Sequence, residues 1–134
     1  MVKLDSIHYQ WAPRLLSVLR IITAFLFMPH GAAKLFGVLT TRPTPPLLSL
    51  SGVGGVLEFF GGLLILLGLF TRPVAFILSG MMAVAYFMAH APGGFWPLQN
   101  GGELAALYSF VFLYLSAAGG GPWSLDANLR HGKA

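Results

Sequence analysis

The sequence predicts an all-α membrane protein, an antiparallel bundle of four transmembrane helices with both termini cytoplasmic. Three observations carry that expectation. Only 9% of the 134 residues are charged while 56% are hydrophobic, whereas a soluble domain carries about 25% charged residues. Four apolar stretches are separated by proline- and glycine-rich breaks. The basic residues gather on one side of the topology those stretches define. With a mean hydropathy of +0.75, a soluble chain of this size would expose apolar patches well beyond the usual few hundred Å². The length suits one domain, residues 1–134.

The apolar stretches run over about 15–39, 53–70, 73–90 and 103–118. A span needs about 17–25 residues to cross ~30 Å of hydrocarbon, so the last two are short and call for tilt or local thinning. No strand-like alternation points to a barrel, the other architecture that satisfies every backbone polar group in lipid. The segment Thr40-Thr41-Arg42-Pro43-Thr44-Pro45-Pro46 cannot continue a helix. Thr71-Arg72-Pro73 reads as a tight turn with Pro73 opening the third helix. A loop from Ala91 to Gly102 carries Phe95 and Trp96, side chains of the membrane-interface type. Gly119-Gly120-Gly121-Pro122-Trp123 ends the fourth span. The first 14 residues are polar and no small-residue cleavage site closes a short apolar stretch, so the first span is expected to stay as a helix. Short connections favour the up-down-up-down order.

The net charge of +4 comes from eight scattered Lys and Arg residues, which is not the clustered footprint of a nucleic-acid binder. In a membrane protein such residues record orientation. Lys3, Arg14, Arg72, Arg130 and Lys133 fall on one side, with Arg20 just inside the first helix, against Lys34 and Arg42 on the other. The richer side is the cytoplasmic one. Arg20 and Arg72 are expected to snorkel to lipid phosphates. The chain has no cysteine, which excludes a thiol relay, a disulfide and an iron–sulfur cluster within it.

Placed on this topology, the ionisable residues converge on the outer end. His30 and Lys34 lie four residues apart on one face of the first helix. Glu58 sits below the outer end of the second, His90 ends the third, and Glu103 starts the fourth. A charge in hydrocarbon costs about 2.5–3.5 kcal/mol on insertion scales, so such groups face inward and pair. Lys34 with Glu58 is the natural ion pair. Gly54, Glu58, Gly61 and Ile65 share one face of the second helix, as close helix packing in lipid requires and as a flat ligand beside Glu58 would also require. The cluster reads as a polar plug that fixes register, or as a ligand pocket for a small polar head group such as a quinone. Quinone carbonyls need proton donors, which histidine and a carboxylate supply. Two His and two Glu are chemically able to hold zinc or iron, but the Glu-x-x-His pairs of di-iron bundles are absent, so a metal is the weaker expectation.

The segment from Arg20 to Pro29-His30-Gly31-Ala32-Ala33-Lys34-Leu35-Phe36-Gly37 resembles the first helix of the DoxX family. Similar matches are Glu58-Phe59-Phe60-Gly61-Gly62-Leu63, Gly68-Leu69-Phe70-Thr71-Arg72, His90, Asn100-Gly101-Gly102-Glu103 and Gly121-Pro122-Trp123-Ser124-Leu125-Asp126. The resemblance implies a four-helix bacterial inner-membrane protein connected with membrane oxidoreductases, with quinone or catechol stress, or with multi-enzyme redox complexes. Animal relatives resemble receptor-assembly chaperones. No catalytic residue set comes with the resemblance; the matching positions are again His30, Lys34, Glu58, His90 and Glu103. No motif for a bound flavin or nicotinamide is present, so a redox cofactor would be diffusible, metal-based or held by a partner subunit. The expected partners are the lipid bilayer, a quinone, a redox-enzyme subunit and a second copy of the chain. The competing expectation is a non-enzymatic scaffold or assembly factor.

Overall fold

The computed structural model describes residues 4–132, and every regular element among them is helical. Helix α1 spans Leu4–Phe36. Helix α2 spans Leu50–Leu67, and its middle turn, Leu57–Gly61, is wound as a π-helix. Helix α3 runs from Thr71 as an α-helix to Ala85, then as a π-turn over Tyr86–His90, and closes with a 3₁₀ turn at Ala91–Gly93. A single turn, α4 (Pro97–Asn100), precedes α5 (Glu103–Ala118) and the short α6 (Leu125–His131). The helices α1, α2 and α3 are long and apolar enough to cross a bilayer, and α5, at 16 residues, is shorter.

The ends differ from the apolar stretches for identifiable reasons. Helix α1 has 33 residues, about 50 Å at 1.5 Å per residue, and so outruns the hydrocarbon. Hydropathy senses lipid exposure, whereas the helix itself starts with Asp5 in its first turn, where a carboxylate complements the helix dipole. In this polar extension the Arg14 guanidinium stacks over Trp11 at 5.4 Å. The helix stops at Phe36 because Gly37 turns left-handed, with φ +67°. Helix α2 starts three residues ahead of the apolar stretch because Ser49 caps it, its hydroxyl accepting from the Gly52 amide at 3.1 Å. Left-handed residues at Gly68 and Phe70 end it before Phe70. Pro73 falls in the first turn of α3, where its missing N–H leaves no bond unmade.

The closest pairs are α1 with α2 and α3 with α5. Gly31 makes the first possible: a Cβ there would press on the Phe59 amide nitrogen, the Gly55 carbonyl oxygen and Glu58 Cβ. Small residues at such a crossing let dispersion contacts form where lipid removes the hydrophobic drive. In the second pair, Ser79 Oγ donates to Ser109 O at 2.7 Å and Ser109 Oγ returns a bond to Ser79 O at 3.0 Å. Phe27 joins the pairs, meeting Tyr108 and Phe112 edge-on at ring separations of 5.1 and 4.9 Å. Outward, Phe25, Phe60, Phe76, Ile77 and Phe110 are all more than half exposed, an apolar shell for lipid. Of the methionines, Met82 packs in the core and Met88 faces outward.

The backbone contact at Gly31 makes a firm expectation. Gly31→Ala should destabilise the protein by about 1–3 kcal/mol, the ordinary cost of overpacking, because the atoms it meets are backbone atoms that do not swing aside. Thermal unfolding in detergent reads this out, and an unchanged midpoint would show that the helices separate freely there.

Candidate functional site

The one ion pair within 4 Å among the described residues joins α1 to α2. Lys34 Nζ lies 2.8 Å from Glu58 Oε1, with the lysine side chain 34% and the glutamate 9% exposed. Gly31, one turn before Lys34, brings α1 onto the Glu58 backbone, and Gly55 leaves room for the Lys34 stem, since a Cβ on it would meet Lys34 Cβ at 2.9 Å. Glu58 stands in the π-turn of α2. Such turns are rare and concentrate at functional sites. The second carboxylate oxygen, Oε2, is buried without a protein partner.

Lys34 also lines a cavity of about 470 Å³. Its wall comprises Pro29, His30, Ala33 and Lys34 of α1, Leu39, Thr40, Arg42, Pro43 and Pro45 of the following loop, and Ser51 of α2. Three nitrogen-bearing side chains therefore face one space, and Glu58 holds Lys34 from outside that lining. His30 is exposed, with its ring perpendicular to that of Tyr108 at 6.4 Å. The volume lies within the 300–1,000 Å³ range of small-molecule sites.

His90 and Glu103 lie outside the cavity lining. His90 is in the π-turn of α3, stacked on Tyr86 at 6.3 Å, with Nδ1 3.2 Å from the Asn100 carbonyl oxygen. Asn100 organises this corner. Its side-chain amide donates to Tyr86 Oη at 3.1 Å and to Gly94 O at 2.9 Å, and its Oδ1 accepts from Gly102 N at 2.8 Å. Asn100 falls within the loop expected from Ala91 to Gly102, but nothing in the sequence names Tyr86 as its partner. Glu103 is exposed at the first turn of α5, where its charge suits the helix dipole. Among the described residues, no three His, Cys, Asp or Glu side chains group closely enough to hold a metal ion.

At the other end of α1, the structure corrects the snorkelling expected of Arg20. That side chain is 1% exposed, and Nη2 donates to the Trp123 carbonyl oxygen at 2.6 Å. Gly68, at φ +68°, is required twice over, because a Cβ would strike both the Arg20 guanidinium and Ser124. Ser17 joins the same corner, its hydroxyl accepting from Trp123 N at 3.1 Å and donating to Gly120 O at 3.4 Å. Asp126 then caps α3, its two carboxylate oxygens accepting from Phe70 N and Thr71 N, each at 2.9 Å. Burial alone would raise the Asp126 pKa, but the Thr71 and Phe70 bonds and the Arg130 charge outweigh it and hold the group below the ordinary carboxylate value. Arg72 likewise donates to the Ala117 carbonyl at the end of α5.

An apolar-shelled helical bundle with an internal ion pair is a membrane protein. The DoxX family profile matches residues 15–91, and the chain belongs to the DoxX family. It is 46% identical over 127 residues to an uncharacterized protein of Haemophilus influenzae, covering 87% of this chain and 92% of the other. An uncharacterized membrane protein of Mycobacterium tuberculosis is 28% identical over 142 residues, covering 92% of this chain and 85% of that one. No solved structure matches. The family match takes in His30, Lys34, Glu58 and His90 and stops short of Glu103 and Asp126.

The Asp126 cap gives a signed pH dependence. A carboxylate with a depressed pKa adds stability above its unfolded value of 3.8 and loses it as pH falls through the folded pKa. Wild-type protein should therefore lose stability on acidification below about pH 4. Asp126→Asn should lie about 0.5–2 kcal/mol lower at neutral pH, the usual worth of a helix cap, and lack that acid step. Melting curves from pH 3 to 7 test this, and a variant that keeps the full acid step would clear Asp126 of it.

Proposed function

We propose that this DoxX protein binds a quinone-type or other small redox-active molecule in the cavity beside Lys34 and supports a membrane oxidoreductase system. The observation that carries the reading is a half-buried ion pair, Lys34–Glu58, set against a cavity that His30 also lines. The residues present fit a quinone head group. Lys34 and His30 offer N–H donors toward carbonyl oxygens, and Glu58 Oε2 has an unused acceptor position behind Lys34. Pro29, Ala33 and Leu39 supply apolar wall. A quinone would bring the two-electron chemistry; the chain's own residues would orient the ring and exchange protons with it. In this proposal His90 and Glu103 act at a distance, His90 by holding the loop before α5.

The proposal places the chain in a bacterial inner membrane, with four antiparallel spans and cytoplasmic termini. Two features support it. Contacts along α1 and α2 follow opposite orders, Arg20 meeting Gly68 while Lys34 meets Glu58. Arg14, Arg20, Arg72 and Arg130 fall toward one end, with Lys34 and Arg42 at the other. The relatives named above are bacterial. A second reading, a scaffold without a ligand, draws on one specific contact: the ion pair lies beside the close α1–α2 approach at Gly31, where it fixes helix register by itself.

Ligand-induced stabilisation separates the two. A short-tailed ubiquinone should raise the wild-type melting temperature through its selective binding to the folded state. Glu58→Gln should cut that apparent affinity on the order of tenfold, the effect of losing about 1.4 kcal/mol. An equal shift in both proteins would remove Glu58 from the site. No shift in the wild type would favour the scaffold.

A further inference from the structure

The end of the bundle remote from Lys34 carries a second cavity, of about 360 Å³, whose wall includes Phe70, Thr71, Arg72, Asp126, Leu129 and Arg130. We propose that it is a specific site for an anionic phospholipid, with the phosphate on Arg72 and Arg130 and acyl chain along Phe70 and Leu129. This inference is independent of the quinone reading.

Charge argues first. Two guanidinium groups face one carboxylate, and both oxygens of that carboxylate already accept amide hydrogens from Phe70 and Thr71. Each arginine is held by one backbone bond, Arg72 to Ala117 O and Arg130 Nε to Asp126 O at 3.2 Å. Among the described residues neither guanidinium makes another hydrogen bond, so both are oriented with N–H donors to spare. Guanidinium groups match phosphate oxygens in pairs. The net positive balance favours a head group with no cation of its own.

The apolar surroundings identify the source of the phosphate as a lipid. Phe70 is 62% and Leu129 57% exposed, and Leu125 lies one turn before Leu129 on the same face of α6. Trp123, 54% exposed, borders that helix and has the amphipathic ring favoured at head-group depth. A soluble phosphate has no use for such side chains. An acyl chain covers them, and a short helix with its leucines on one face and Arg130 beside them is suited to lie in the interface. Arg20 is not part of this site; it is buried behind Gly68 and Ser124.

The test is native mass spectrometry of the full chain released from micelles containing equal amounts of phosphatidylglycerol and phosphatidylcholine. Wild-type protein should retain phosphatidylglycerol in preference. Arg130→Gln should lower that preference roughly fivefold, and Arg72→Gln with Arg130→Gln together roughly 25-fold, at the usual contribution of a basic residue near anionic lipid. Arg130 is exposed and outside the core, so the single variant keeps the test readable if the double variant fails to fold. Arg14→Gln, which removes a cation elsewhere on the surface, should change nothing. An equal fall in Arg14→Gln would leave only diffuse surface charge and overturn the site, as would an unchanged preference in Arg130→Gln. Displacement of the lipid by millimolar inorganic phosphate would overturn the lipid assignment in favour of a soluble anion.

Discussion

Hydrocarbon supplies no hydrogen-bond partner, and that constraint organises the molecule. A core of Phe27, Ile65, Leu78 and Phe112 does not by itself tell helices to prefer one another over lipid, because lipid tails are as apolar as leucine. The few polar groups inside the bundle therefore decide how the helices meet. Lys34 needs Glu58, and the pair sets α1 against α2. Ser79 and Ser109 exchange hydrogen bonds with each other's backbone and set α3 against α5. Arg20 takes the Trp123 carbonyl and draws the segment after α5 onto the end of α1.

Glycine positions follow from those polar contacts. Gly31 sits where the α1 backbone packs so closely on the α2 backbone around Glu58 that a Cβ would not fit. Gly68 sits where the Arg20 guanidinium must pass under a left-handed turn. A side chain at either point would push apart the groups that lipid cannot satisfy. The close packing and the ion pair are thus one feature seen from two sides.

The two ends of the bundle differ in kind. Around Lys34 the long loop from Gly37 to Ser49 stands off from α1 and leaves a cavity bounded by His30, Lys34 and Arg42. At the Arg20 end, the chain from Gly119 to Asp126 folds back, fills the space between α1 and α3, and caps α3 with a carboxylate. The first end has room for a molecule between α1 and that loop. The second is built for fixation, with Arg72 and Arg130 exposed at its rim.

The all-helical membrane architecture was determined by the sequence by itself, because hydropathy and proline placement report directly on what lipid and backbone geometry allow. The Lys34–Glu58 pair was legible too, since two opposite charges at similar depth have little choice but each other. Element ends were less so: the polar extension of α1 back to Leu4 and the cap at Ser49 are made by local hydrogen bonds and dipoles that hydropathy does not register. The fates of Arg20, His90 and Asn100 were decided only by the tertiary structure. Arg20 was equally able to reach for lipid phosphate or for a carbonyl, and the carbonyl that captures it lies 103 residues away. His90 and Glu103 were grouped with Lys34 by depth along the bundle, but depth says nothing of azimuth, and Tyr86 and Asn100 claim His90 on another side. One-dimensional patterns fix how far along a helix a residue stands; which neighbour it turns toward follows from packing all the helices at once.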